Sequence, residues 1–157
     1  MTLSDETAGI PLPPPVIPFG VFLAGALVHW VAPIRRWPSD GTPSLGWILF
    51  ALGLILATWS VAALARAGTP VDPDHPVRVL VVSGPYRYAR NPIYAAFCLL
   101  YLGLAWVLGM WVCLVLFPLV PIGVWSIVIR REETYLEKRF GKPYLDYRSK
   151  VRRWGIL

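Results

Sequence analysis

Cysteine is almost missing from this chain. Cys98 and Cys113 are the only two, and both fall inside long apolar stretches, so a disulfide framework is not what holds the fold. Histidine is as scarce: His29 and His75 stand far apart in sequence, no Cys/His cluster has zinc-ligand spacing, and no metal is expected. Charge is missing altogether from residues 93–129. The net charge of +6 does not point to nucleic acid, because the basic residues flank apolar stretches and form no nucleic-acid motif. Anionic lipid headgroups or an anionic substrate suit that placement better.

What remains is a membrane protein's composition. The 157 residues are 56% hydrophobic with eight Trp, and the mean hydropathy is +0.55, too apolar for an ordinary soluble domain. The expected class is an all-α integral membrane protein with four transmembrane helices and a C-terminal amphipathic interfacial helix.

Residues 1–15 begin polar and acidic and run into Pro11, Pro13, Pro14 and Pro15, which predicts an extended, polyproline-like tail. No basic n-region precedes the apolar stretch, so a secretory signal is not expected. The first span is predicted over residues 16–32, with Pro18 in its opening turn. Arg35, Arg36 and Trp37 follow as an interfacial cluster, and residues 39–44 form a polar turn. Residues 45–65 are uncharged and long enough to cross the hydrocarbon core. The first two spans make one unit, residues 16–67.

Residues 68–157 make the other unit. Its loop, residues 68–82, is too polar and proline-rich to face lipid, so it belongs at the aqueous face or in a cofactor pocket. Residues 93–129 would overshoot the bilayer as one helix. A turn is therefore expected at Leu108 and Gly109, between Trp106 and Trp111, with Pro118 and Pro121 kinking the returning helix. Beyond Arg130, Tyr135, Leu136, Phe140, Tyr144 and Tyr147 recur at intervals of mostly three or four, the pattern of an amphipathic surface helix interrupted near Gly141. Trp154 suits an interfacial anchor. If the spans alternate, one side carries all of the fifteen Lys and Arg except Arg35 and Arg36, so both termini are expected in the cytoplasm.

The polar run from Ser83 to Tyr94 is where chemistry is expected. Gly84-Pro85 signals a turn, and Asn91-Pro92 a helix start with asparagine as the cap. The run Gly-Pro-Tyr-Arg-Tyr-x-Arg-Asn-Pro-x-Tyr, followed after two apolar spans by Arg-Arg-Glu-Glu-x-x-Leu-x-x-Arg-Phe-Gly-x-x-Tyr-x-x-Tyr, resembles the isoprenylcysteine carboxyl methyltransferase and phospholipid methyltransferase superfamily of membrane enzymes. That resemblance covers roughly residues 68–154. It implies an S-adenosylmethionine cofactor held by Arg78, Val79, Leu80 and Val81, by Tyr86, by Asn91, Pro92, Ile93 and Tyr94, and by Glu132 and Glu133.

Chemistry of the residues supports this assignment independently. The cofactor's methionine end needs an acceptor for its ammonium and a donor for its carboxylate, and its adenine needs an apolar or aromatic place. Glu132 and Glu133 can supply the first, Arg78, Arg87, Arg90 or the helix start at Asn91 the second, and Tyr86, Tyr94 and the valines of 79–81 the third. A glutamate pair opening a helix also simply favours its dipole, and Arg87 and Arg90 also suit lipid phosphate. Arg87, Arg90 and Arg131 are the substrate-side candidates. No catalytic residue is assigned. Similar enzymes often carry histidine where Asn91 stands, and asparagine cannot titrate near neutral pH; Val128 lies near where eukaryotic relatives carry a substrate-side arginine.

The expected function is methylation of a lipophilic acceptor, a carboxylate, amine or thiol, at the cytoplasmic membrane boundary. Expected partners are a lipophilic or lipid-linked substrate and membrane lipids. Two alternatives differ in kind: a sterol-reductase-like enzyme using NADPH, and a non-catalytic scaffold or lipid-binding subunit.

Overall fold

Apolar stretches and the prolines that punctuate them set the element order. The computed structural model describes residues 7–32, 43–71 and 75–155. It contains α1 (Val16–Val31), α2 (Pro43–Arg66), α3 (Pro92–Val107), α4 (Trp111–Leu116), α5 (Leu119–Gly123), α6 (Arg130–Phe140) and α7 (Lys142–Lys150). A 3-10 turn, Gly84–Arg87, precedes α3, and a π-helical segment, Val124–Ile129, joins α5 to α6. Among the described residues no strand forms. The Arg35, Arg36 and Trp37 cluster, and the turn from Ser39 to Thr42, lie outside the described residues.

By length and composition, two helical runs can cross a bilayer: Pro43–Arg66, and the 30-residue run Trp111–Phe140. Four spans were expected; α1 and α3 have only 16 residues each, about 24 Å at 1.5 Å per residue, against a core of about 30 Å. Lipid is nonetheless the fitting surround. Phe19, Leu23, Leu27 and Trp30 on α1 and Trp47, Ile48 and Ile55 on α2 are all exposed, an apolar surface too large to leave in water.

The turn falls where the sequence puts it. Gly109 takes φ +64° between α3 and α4, a left-handed conformation that suits glycine. Pro118 and Pro121 also act as expected, since each lacks the N–H that an unbroken helix would use. The chain tightens at Phe117, whose N–H reaches Leu114 O at 3.3 Å, and then widens into the π segment. Charge begins again at Arg130, so residues 111–129 suffice for a crossing, about 28 Å, and α6 continues from their end as the charged part of the same helical run. Gly141, at φ +57°, separates α6 from α7.

One expectation fails because a segment near the N-terminus packs. The proline-rich segment is no free tail: Ile10 is buried and belongs to the central apolar cluster with Tyr94, Tyr101, Val120 and Val124. Apolar Ile10 among rigid prolines gains burial at little further entropic cost. Trp154, half-buried, also packs against this cluster.

Helices α2 and α3 approach closely because their facing positions are glycines. A Cβ built on Gly103 would lie 2.5 Å from Phe50 N and 2.8 Å from Gly46 O. Small residues of this kind let membrane helices bring their backbones together. Replacing Gly103 by Ala is expected to force α2 and α3 apart and to destabilise the protein by about 1–3 kcal/mol, read as a lower unfolding midpoint in detergent. An unchanged midpoint would refute the close packing.

Candidate active site

The polar run before α3 is fixed from both sides. Gly84 adopts φ +60°, and buried Pro85 starts the 3-10 turn that presents Tyr86. Tyr147 donates its hydroxyl hydrogen to Tyr86 O at 2.6 Å. Further along, the backbone N–H groups of Arg90 and Asn91 donate to the carbonyls of Arg152 and Arg153, at 2.9 and 3.1 Å. The C-terminal segment thus satisfies donors that the irregular run leaves over. Asn91 does not use its side chain to cap α3; its amide Nδ2 is buried without a hydrogen-bond partner.

The strip before the turn is pinned as well. Val79 N–H donates to Thr69 Oγ1 at 3.1 Å, and that hydroxyl donates to Val79 O at 3.2 Å. Val77 N–H donates to the Tyr135 hydroxyl at 3.1 Å, while the Arg139 Nε–H donates to Val77 O. The bonds with Tyr135 and Arg139 tie the loop to α6.

The two adjacent glutamates of α6 have different surroundings. Glu132 accepts a hydrogen bond from the Tyr94 hydroxyl at 2.8 Å. Burial pushes its carboxyl up to about 7, with Glu133 adding to the rise and the Tyr94 bond opposing it. Glu133 has both oxygens engaged: Arg153 Nε and Nη2 lie at 2.9 and 2.8 Å, and Arg90 Nη1 at 3.0 Å. Burial alone would raise Glu133, but the Arg153 hydrogen bonds and the charges of Arg90, Arg153 and Arg148 outweigh it and hold the carboxyl below its ordinary range. Arg90 also donates to the Tyr144 hydroxyl at 3.4 Å, which leaves its buried Nε without a partner.

These groups meet at one cavity of about 500 Å³. Of the residues expected to hold the cofactor, Val79, Leu80, Val81, Tyr86, Asn91, Pro92, Ile93, Tyr94, Glu132 and Glu133 line it, and Arg78 does not. Arg78 is exposed. Of the substrate-side candidates, Arg90 lines the cavity, Arg87 is exposed away from it, and Arg131 faces a second hollow that shares Ala8 and Tyr135 with the cavity. Sequence reasoning missed several wall residues. Tyr144 and Tyr147 were expected to be surface packing, yet both line the cavity, and Tyr144 is 1% exposed. Their spacing of three was the available signal, since it puts both on one helix face. Arg153 gave no signal, because its partner is reached only when the chain end folds back.

Comparison with known proteins decides the family. The family model described as phospholipid methyltransferase matches residues 42–143, a stretch that takes in α2, the pinned loop, α3 and α6. The chain belongs to the phospholipid methyltransferase family. Within that setting it is 32% identical over 125 residues to Protein-S-isoprenylcysteine O-methyltransferase of Schizosaccharomyces pombe, a match covering 80% of this chain and 51% of that protein. It is 28% identical over 141 residues to Protein-S-isoprenylcysteine O-methyltransferase B of Arabidopsis thaliana, covering 83% of this chain and 62% of that one. An uncharacterized protein of Haemophilus influenzae is 44% identical over 61 residues, 36% of this chain and 92% of its own. The chain thus spans half to three-fifths of the length of the two named methyltransferases. No solved structure matches it.

Proposed function

We propose that this member of the phospholipid methyltransferase family binds S-adenosylmethionine in the cavity and methylates a lipophilic acceptor that enters from the bilayer at its cytoplasmic boundary. One observation carries the reading: the cavity wall combines an available carboxylate with two buried donors that lack partners. Glu132 complements an ammonium, and Arg90 Nε with Asn91 Nδ2 complements a carboxylate, so the residues present fit an amino-acid end. Tyr86, Phe97 and the valines of the pinned strip offer apolar and aromatic surface for the base.

When bound, the cofactor supplies an electrophilic methyl group on a sulfonium sulfur. The chain's own work is then to bind, orient and exclude water, which favours a displacement more than any proton transfer would. Glu132 and Arg90 fix the amino-acid end, Tyr94 holds the Glu132 carboxylate in place, and Ile10 with the prolines of residues 13–15 closes the apolar side. Among the described residues lining the cavity there is no histidine. An acceptor that arrives ionised, a carboxylate or thiolate, suits this wall better than one needing a base. Glu133 is fully occupied by arginines and serves to place Arg90, so the ammonium falls to Glu132 alone. On this reading residues 68–157 form the methyltransferase core, and a four-span topology with both termini cytoplasmic, supported by the Lys and Arg asymmetry of the sequence, sets the cavity at the inner leaflet.

Titration of detergent-purified protein with S-adenosylmethionine and with NADPH tests this reading. Binding of the first alone is expected; binding of NADPH would indicate a reductase, and binding of neither a scaffold. The affinity should also depend on pH. Ionised Glu132 is the form that attracts an ammonium, so affinity should rise as the pH climbs through about 7 and level off above it. The unliganded protein should behave oppositely. Its Glu132 binds more protons folded than unfolded between 4.5 and about 7, so this contribution to stability is complete below 4.5 and is lost as pH rises through 7. Affinity that is flat with pH would remove Glu132 from the site.

A further inference from the structure

Beside α6 lies a second hollow, of about 600 Å³, whose walls include Arg130, Arg131, Lys138 and Arg139. Among the described residues lining it there is no acid. The acids of α6 lie elsewhere: Glu132 and Glu133 line the cavity of the proposed active site, and Glu137 pairs with Arg148 at 3.1 Å. Two of the four cations are held by neutral groups. Arg131 donates to Gly9 O at 2.8 Å and Arg139 to Val77 O, contacts that fix the guanidinium groups without cancelling their charge.

Position along the helical run identifies the ligand class. The Arg130 guanidinium lies 5.5 Å from the centre of the Trp125 ring, a cation–π contact with an exposed tryptophan. Trp125 suits the level of lipid headgroups. Below it, toward the middle of the run, Ile122, Leu119 and Val115 are exposed and apolar. A cationic hollow therefore stands directly above a strip suited to acyl chains. We propose that the hollow binds the headgroup of an anionic phospholipid from the surrounding leaflet. A free phosphate would use the cations and have no use for the apolar strip. The inference rests on the reading that residues 111–129 cross the bilayer, and it does not depend on cofactor binding.

Native mass spectrometry of the full chain in neutral detergent, with dihexanoyl phosphatidylglycerol, dihexanoyl phosphatidylcholine or glycerol phosphate added, tests it. Phosphatidylglycerol should be retained over phosphatidylcholine. The double variant Arg130→Gln/Lys138→Gln should weaken that retention about tenfold or more, since each cation near a lipid surface contributes several-fold. Lys150→Gln, an exposed cation outside the hollow, should leave it unchanged. Thermal unfolding in detergent reports whether each variant is folded. Equal retention of both lipids, or a double variant that behaves like the parent, overturns the proposal. Glycerol phosphate bound as tightly as the lipid also overturns it, because the apolar strip would then contribute nothing.

Discussion

Glu132→Gln should weaken S-adenosylmethionine binding by about one to two orders of magnitude while leaving the protein folded. The change keeps the shape and one hydrogen-bond acceptor for the Tyr94 hydroxyl, now 2.8 Å from Oε1, but removes the charge. A charge-assisted hydrogen bond is worth about 1.5–3 kcal/mol, or roughly 10- to 150-fold in affinity. Stability should hold or improve slightly, since burial already works against the ionised carboxylate. Calorimetric titration measures the first effect and thermal unfolding in detergent the second. Undiminished affinity would mean that the ammonium is recognised elsewhere.

Glu133→Ala, one residue away, should act first on stability. Its carboxylate joins Arg153 and Arg90, and the side chains of Glu133 and Arg90 are only 11% and 10% exposed. Removing it leaves buried guanidinium charge uncompensated, a change that costs about 3–5 kcal/mol. The unfolding midpoint should therefore drop far more than for Glu132→Gln, and cofactor affinity should fall with it because Arg90 loses its support. Acid should imitate the mutation. The Glu133 carboxyl is held below its ordinary 4.5, so its contribution is complete above that value and is lost as pH falls through the depressed one. A midpoint no lower than that of Glu132→Gln would show that the arginine contacts carry little.

The contrast between these neighbours shows where the sequence is readable. Helix limits and turns followed from local physics: uncharged runs, Gly109 at a tight reversal, prolines at 118 and 121, Gly84-Pro85 before Tyr86. The cavity-lining set was also largely legible, because Tyr86, Asn91, Tyr94 and Glu132 belong to motifs whose order along the chain survives folding. What could not be read were the roles of residues satisfied from a distance. Nothing local told Glu133 from Glu132; the difference is Arg153, twenty positions on, brought back by the last turn of chain. Ile10 was likewise taken for part of a tail because prolines surround it, and its burial depends on α3 and α5 being in place. Arg78, Arg87 and Arg131 looked as suitable as Arg90 for an anion, yet only Arg90 turns inward.

The π segment has a bearing on how this chain tolerates change. Arg130 N–H reaches Trp125 O, five residues back, where an α-helix would reach four. The wider turn sets the rotational phase of everything after it. Inserting one further residue between 124 and 129 at ordinary helical pitch would swing the rest of the helix by about 100°, carrying Glu132 away from Tyr94 and Glu133 away from its arginines. Length, more than side-chain identity, is what this short stretch must preserve.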